Sequence, residues 1–314
     1  MRIVMSTDLE GTAGIFHREM QIASPTPQEY ARTLRLATRE VVAAIEGAWA
    51  GGATEILIDA LHDIDLEMLP AGVQVIRGVN FWDVTYYQRE RFDALVIVGQ
   101  HGGAHLVDCA LAHTFLPSWQ IEAGGVLQEG WLKQIAPQVA NAPQGEFSTV
   151  EKVWLNDRLV GESSFLATLA AAYGVPTACV CGCVHACQEV QEMVPEVGTV
   201  PVKWGINFRA ARMLSPAGAQ EAIRQGVAEA LKRLAAIPAC PAALGPQEVK
   251  VRYVHPERTD RTARWPGTRR LDEHTVAATA PDGRHLTGLG FMFARPRSAE
   301  DGPTGPERNA LPAF

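Results

Sequence analysis

Asp8 and Glu10 are separated by Leu9 alone and follow the apolar run Ile3-Val4-Met5 directly. In extended backbone, side chains at this spacing leave from the same face. Two carboxylates so placed repel each other unless a cation sits between them. A divalent metal pair answers that repulsion, and so do two solvated acids before a turn; this stretch alone leaves both readings open. His62 in Asp59-Ala60-Leu61-His62-Asp63, His101 in Gly99-Gln100-His101-Gly102-Gly103, and Glu162 in Gly161-Glu162-Ser163-Ser164 extend the metal reading. Together Asp8, Glu10, His62, His101 and Glu162 form a candidate ligand set. Mixed carboxylate and imidazole donors suit zinc, with oxygens able to bridge two ions. A two-metal site of that kind acidifies a water and polarises a scissile carbonyl. Each residue taken singly also fits a structural role, as a satisfied histidine or a solvated acid.

His113, in Ala112-His113-Thr114, lies beyond two glycines and reads as a loop residue. It is a candidate general base, acid or nucleophile, or a loop histidine facing water. Cys179, Cys181, Cys183 and Cys187, with His185, suggest a zinc knuckle at first sight. The first three alternate along a strand and its end, however, and a closed thiolate site needs a tight CxxC turn. Small buried core residues are the better reading of these cysteines. Gly99, Gly102 and Gly103 do not make a GxGxxG opening a helix, so a dinucleotide site has no support.

These residues need elements to hold them. Ile3–Met5 reads as a buried first strand. A helix follows from Gln28 to Ala50, with Leu34, Val41, Val42, Ile45 and Trp49 as its apolar stripe and Gly51-Gly52 as its stop. Strands are predicted at Glu55–Asp59, Val73–Arg77 and Asp93–Gly99, the last apolar on both faces as a parallel strand requires. Strand, helix and strand at this spacing make a βαβ unit. Asp8, Glu10, His62 and His101 then all fall just after strands, on one edge of one sheet. Further on, the pattern predicts a strand at Lys152–Asn156 and a turn through Arg158. A helix then opens at Glu162 and runs to Tyr173, followed by a strand at Thr177–Cys181 and a helix at His185–Met193. Val200–Trp204 is extended, and Ser215-Pro216 opens a helix to Leu234. Beyond the Pro/Ala-rich connector Pro238–Pro246, strands are predicted at Lys250–Val254, Thr275–Thr279 and Gly288–Phe293.

The fold class read from this pattern is α/β, a mainly parallel sheet flanked by helices, with a smaller C-terminal α+β part. Residues 1–200 form the metal-binding catalytic domain, with an insertion at about 117–150 that includes a helical stretch near Val126–Ile135. Residues 201–294 form the smaller domain, and 295–314 a mobile tail. The polar loop through Pro27 could serve as a lid or as an ordinary connection. A length of 314 residues with 47% hydrophobic content supports a substantial core. A net charge of -7 without any basic run argues against a nucleic-acid surface. No apolar run is long enough to span a bilayer, and the start lacks a signal-peptide pattern. The chain is therefore expected to be soluble and cytoplasmic, without a membrane partner.

The order and spacing of these motifs resemble the bacterial zinc-dependent D-aminopeptidases associated with dipeptide transport operons. Ser6-Thr7-Asp8-Leu9-Glu10-Gly11 resembles the family's opening S-x-D-x-E-G, and Gly99-Gln100-His101 its G-x-H. The strand Glu55–Ile58 followed by His62 resembles its second strand and metal histidine. Ala112-His113 resembles its catalytic histidine, and Asn156 through Glu162 its segment ending in Gly-Glu. The resemblance runs from Met1 to about Phe293. It implies two zinc ions per subunit held by Asp8, Glu10, His62, His101 and Glu162, with His113 catalytic. It also implies release of N-terminal D-amino acids from short peptides or amides, and a homo-oligomeric ring, a decamer in the best-known case. The chain departs from the family at Ala60-Leu61, where Asp and Ser are usual, at Cys183-Val184, and in the insertion after His113. A metal-dependent amidase of other specificity, or a catalytically degenerate peptide-binding homologue, are the alternatives.

Overall fold

Ile3–Met5, Ile56–Ile58 and Leu95–Val98 are apolar at every position, so both faces of each strand need cover, the condition of a central parallel strand. The computed structural model of the chain describes residues 1–16, 27–61, 64–76, 87, 90–115, 150–286 and 289. The three runs lie in β1 (Arg2–Thr7), β2 (Glu55–Ala60) and β4 (Ala94–Gln100). With β3 (Val73–Ile76), β7 (Thr177–Cys183), β8 (Gly198–Asn207) and β9 (Ala210–Met213) they form a seven-stranded sheet, ordered β3-β2-β1-β4-β7-β8-β9. All its pairings are parallel except β8 with β9. The strand order runs outward from β1 on one side and from β4 on the other. In open α/β sheets ligands bind beyond the carboxyl ends of strands at such a reversal. Asp8 and Glu10 follow β1, and His101 follows β4, so the predicted edge coincides with that crevice.

Helices cover this sheet: α1 (Pro27–Ala50), α2 (Glu162–Ala172), α3 (Val184–Met193) and α4 (Pro216–Lys232). α4 starts as predicted, with the Ser215 hydroxyl accepting the Gly218 N–H at 3.2 Å and Pro216 in its first turn. α1 lies close against α4: a Cβ at Gly47 would stand 2.4 Å from the Arg224 carbonyl oxygen. Of its predicted stripe, Val41 and Ile45 are buried and Leu34 and Val42 half-buried, but one end departs from it. Trp49 is exposed, and the covered side runs through Thr33, Ala37, Glu40 and Ala44.

The second sheet is antiparallel and ordered β11-β12-β10-β5-β6. Its strands are β5 (Val150–Leu155), β6 (Arg158–Leu159), β10 (Gln247–Tyr253), β11 (Thr268–Arg270) and β12 (Thr275–Ala280). β10 alternates buried and half-buried positions, as a strand with one covered face does. Asn156 and Asp157 link β5 to β6 with φ of 51° and 66°, the conformation a two-residue hairpin turn demands. α2 lies between the two cores: Leu166 and Ala170 join the one under the parallel sheet, Phe165 the one under the second sheet.

The patterning did not reveal β9, β11 or the short helix α5 (Pro256–Thr262). Of the strand predicted at Gly288–Phe293 only Leu289 is described, and it is helical. His62, residues 17–26 of the polar loop, 116–149 of the insertion and the 295–314 tail lie outside the described residues. Among the described residues no helix is long and apolar enough to cross a membrane.

Candidate metal centre

The main chain leaving β1 stays bound to β4. Asp8 N–H donates to the Val98 carbonyl at 2.8 Å and Gly11 N–H to the Gly99 carbonyl at 2.6 Å. Glycine is needed on both sides of this approach: a Cβ on Gly11 would lie 1.9 Å from the Gln100 carbonyl oxygen, and Gly99 holds φ at +77°. Asp8 and Glu10, both buried, are thereby brought against His101, and each of the three offers a ligand atom within 4.8 Å of the others. Gln100 Nε2 donates to Asp8 Oδ2 at 2.6 Å, and Leu9 N–H to Asp8 Oδ1 at 2.7 Å, which fixes the carboxylate plane.

A second group, His101, His113 and Glu162, meets the same 4.8 Å limit and shares His101 with the first. Glu162 is the first residue of α2, where the helix dipole favours negative charge. Phe115 N–H donates to its Oε1 at 2.6 Å. The residue before it, Gly161, has no side chain to cap the helix. Glu189 reaches over from α3 instead, accepting from Gly161 N–H at 2.7 Å and Ser164 N–H at 3.0 Å. His113 rides on the loop after β4. There Leu111 and Phe115 hold φ of 62° and 66°, a left-handed conformation that costs non-glycine residues about 1–2 kcal/mol each. Leu111 N–H donates to the Phe208 carbonyl at 3.1 Å, which ties this loop to the sheet's far edge.

The His101 and His113 rings stack with centroids 4.0 Å apart and planes 12° from parallel. His101 Nδ1 lies 3.0 Å from the Gly102 carbonyl, and His113 Nδ1 2.8 Å from the Leu111 carbonyl. A carbonyl only accepts, so each Nδ1 carries a proton, and the His101 ring, held neutral by its burial, keeps its lone pair on Nε2. His101 Nε2 then faces Asp8 Oδ2 at 3.6 Å and Glu162 Oε1 at 3.8 Å. It is buried with no hydrogen-bond partner among the described residues. A lone pair facing carboxylates in a buried site calls for a cation.

The electrostatics point the same way. Burial pushes the Asp8 and Glu162 carboxyls well above the carboxylate range, and neighbouring Glu10 pushes both further. Burial, then His113 beside it, pulls His101 down to about 3, so its imidazole is neutral. A divalent cation among them would let the carboxylates ionise together and would use the neutral imidazole as a ligand. Carboxylate oxygens with imidazole nitrogens fit zinc.

Of the predicted site residues, Asp8, Glu10, His101, His113 and Glu162 therefore converge, while His62 lies outside the described residues. The cysteines take the core reading. Cys179 and Cys181 sulfurs lie 3.8 Å apart on one face of β7, Cys183 lies 3.5 Å from Cys109, and all are buried and unbridged. Among the described residues neither candidate metal group includes a cysteine. Sequence reasoning missed Gln100, Glu189, Glu40 and Lys203. For Lys203 a signal existed: a lysine directly after Val202 within a buried extended run.

An open α/β sheet with a carboxylate–imidazole cluster at its strand-order reversal makes this an α/β protein built around a candidate metal centre. The family model for D-aminopeptidases, a peptidase family, matches residues 1–124 and 146–289, and the chain belongs to that family. Over 237 residues, 74% of each chain, it is 26% identical to a D-aminopeptidase of Bacillus subtilis strain 168. Among solved structures it is similar to the zinc-dependent D-aminopeptidase DppA of Bacillus subtilis, described as a self-compartmentalizing protease. The TM-score is 0.74 at 22% identity, covering 95% of this chain and 99% of that one, a likeness of fold.

Proposed function

We propose that the chain is a zinc-dependent aminopeptidase releasing N-terminal D-amino acids from short peptides or amino-acid amides. Its two zinc ions would be held by Asp8, Glu10, His62, His101 and Glu162, with His113 catalytic. The observation that carries this reading is the pair of donor groups sharing His101, whose Nε2 lone pair is buried with no hydrogen-bond partner among the described residues. When bound, zinc supplies Lewis-acid chemistry, polarising a carbonyl and acidifying water. The protein's own groups divide the remaining work. Asp8, Glu10 and Glu162 are buried and exclude bulk water from the donor atoms. The His101 side chain is 1% exposed, which suits a ligand, and that of His113 is 13% exposed, which suits a residue that meets substrate. With Nδ1 anchored on the Leu111 carbonyl, His113 presents Nε2 for proton transfer or direct attack. The proposal extends to a cytoplasmic homo-oligomeric ring, a decamer, consistent with the self-compartmentalizing relative.

Elemental analysis of untagged protein, paired with a panel of D- and L-aminoacyl amides, tests the proposal. The expected result is close to two zinc equivalents per chain and faster turnover of D-amides. Protein that holds no zinc, and takes up none on addition, would end the metal reading. A second reading, a metal-dependent amidase of other specificity, is favoured by residues 125–145. The family model leaves them unmatched between His113 and Glu162. Zinc-dependent turnover confined to L- or non-aminoacyl amides would select it.

A further inference from the structure

Lys203 is fully buried on β8, between Cys183 of β7 and Met213 of β9. An ammonium there forfeits its hydration, and a methionine of similar length would fill the space without that cost. What the ammonium does is specific: Nζ donates to the main-chain carbonyls of Glu10 and Ile15. Both belong to the loop that leaves β1 with the candidate ligands. From α1, Glu40, also buried, accepts the Ala13 N–H at 2.9 Å through Oε1. Two buried ionisable side chains, on a strand and a helix far apart in sequence, thus grip one short loop at residues 10, 13 and 15.

That grip has a mechanical purpose. Asp8 and Glu10 turn their carboxylates to the same site as Glu162 and repel one another there. A slack loop would relieve the repulsion by swinging Glu10 outward. Glu10 carries its carboxylate and its carbonyl on the same Cα, so fixing the carbonyl restricts where the carboxylate can go. Resting on the metal centre proposed above, we infer that Lys203 and Glu40 are positioning residues for its Asp8–Glu10 limb. They hold the loop's main chain so that the two carboxylates stay converged for a metal ion. A preorganised donor set binds more tightly and releases more slowly than one that must assemble. Outer groups that orient ligands commonly change metal affinity about 10- to 100-fold.

The test is zinc affinity and zinc release to a chromophoric chelator, measured on the full chain beside its melting temperature and circular dichroism. Lys203→Met keeps the volume and removes the donors. Its zinc affinity should fall about 10-fold or more, with release correspondingly faster, while far-ultraviolet dichroism is retained. Glu40→Ala should weaken zinc in the same direction. Glu40→Gln, which keeps an acceptor for Ala13 N–H, should recover most of that loss. Folded variants that bind zinc like the parent, however much their melting temperatures drop, would make the grip purely structural and overturn the inference. If Lys203→Met does not fold, the Glu40 pair decides. Equal zinc affinity in Glu40→Ala and Glu40→Gln would overturn the inference, and the Gln rescue would uphold it. Parent protein that binds no zinc would overturn the metal centre itself, an outcome visible before any variant is compared.

Discussion

The two limbs that meet at His101 are built on different principles. The Asp8–Glu10 limb grows out of the sheet: its main chain is bound to β4, glycines allow the approach, and Lys203 and Glu40 hold its loop. The His113–Glu162 limb hangs on a loop and a helix start. Two left-handed residues shape the loop, and a carboxylate borrowed from another helix caps the helix. The first limb takes its rigidity from close backbone packing, the second from a few side-chain hydrogen bonds. Rigid elements place ligands more accurately than loops do, so Asp8, Glu10 and the helix-borne Glu162 are suited to holding metal and the loop-borne His113 to meeting a substrate.

The sharpest way to break that division is to remove one group from each limb. Glu10→Ala should lose zinc and turnover together. His113→Ala should keep its zinc while kcat falls about 100- to 10,000-fold, the usual share of a proton-transferring residue. Zinc loss in His113→Ala, read by elemental analysis, would make His113 a ligand and dissolve the distinction. A smaller effect separates the supports by pH. Burial lifts Glu40 from 4.5 to about 8. The unfolded chain ionises this group first, so its stabilising contribution is complete below pH 4.5 and drains away as pH rises through 8. Against Glu40→Gln, wild-type stability should decline over that window, by on the order of 3 kcal/mol at neutrality. Parallel denaturation curves at every pH would refute it. Smallest is the cap: Glu189→Ala should cost about 1 kcal/mol of stability and weaken zinc through Glu162 alone. Unchanged zinc affinity in that variant would show that α2 holds Glu162 without its borrowed cap.

What was legible in the sequence follows the same division. Asp8, Glu10 and His101 stand where unbroken apolar runs give way to polar residues, and a parallel strand advertises its carboxyl end in that way. Ser215-Pro216 and Gly161-Glu162 marked helix starts through local chemistry. His113 could be placed only on a loop, because its position depends on Leu111 and Phe115 adopting φ values that no residue type there announces. Glu40 and Glu189 were invisible for another reason. Their partners are main-chain amides of distant segments, and a helical glutamate reads as solvated unless the buried face is known. Trp49 misled for the matching reason: an apolar residue in phase with the stripe falls at the helix end, where it stays 36% exposed. The second sheet drew strands from the middle and the last third of the chain, a pairing that periodicity does not encode.

The unbridged thiols give the molecule a built-in clock. Cys109 sits on the loop that carries His113 and packs on Cys183 of β7, and Cys179, Cys181 and Cys187 lie in the core under the parallel sheet. None of these five is more than 2% exposed, so a thiol reagent can reach each one only while its surroundings are open. Labelling rates resolved by cysteine therefore time two separate events in one experiment, the lifting of the His113 loop and the breathing of the sheet, without a probe being introduced.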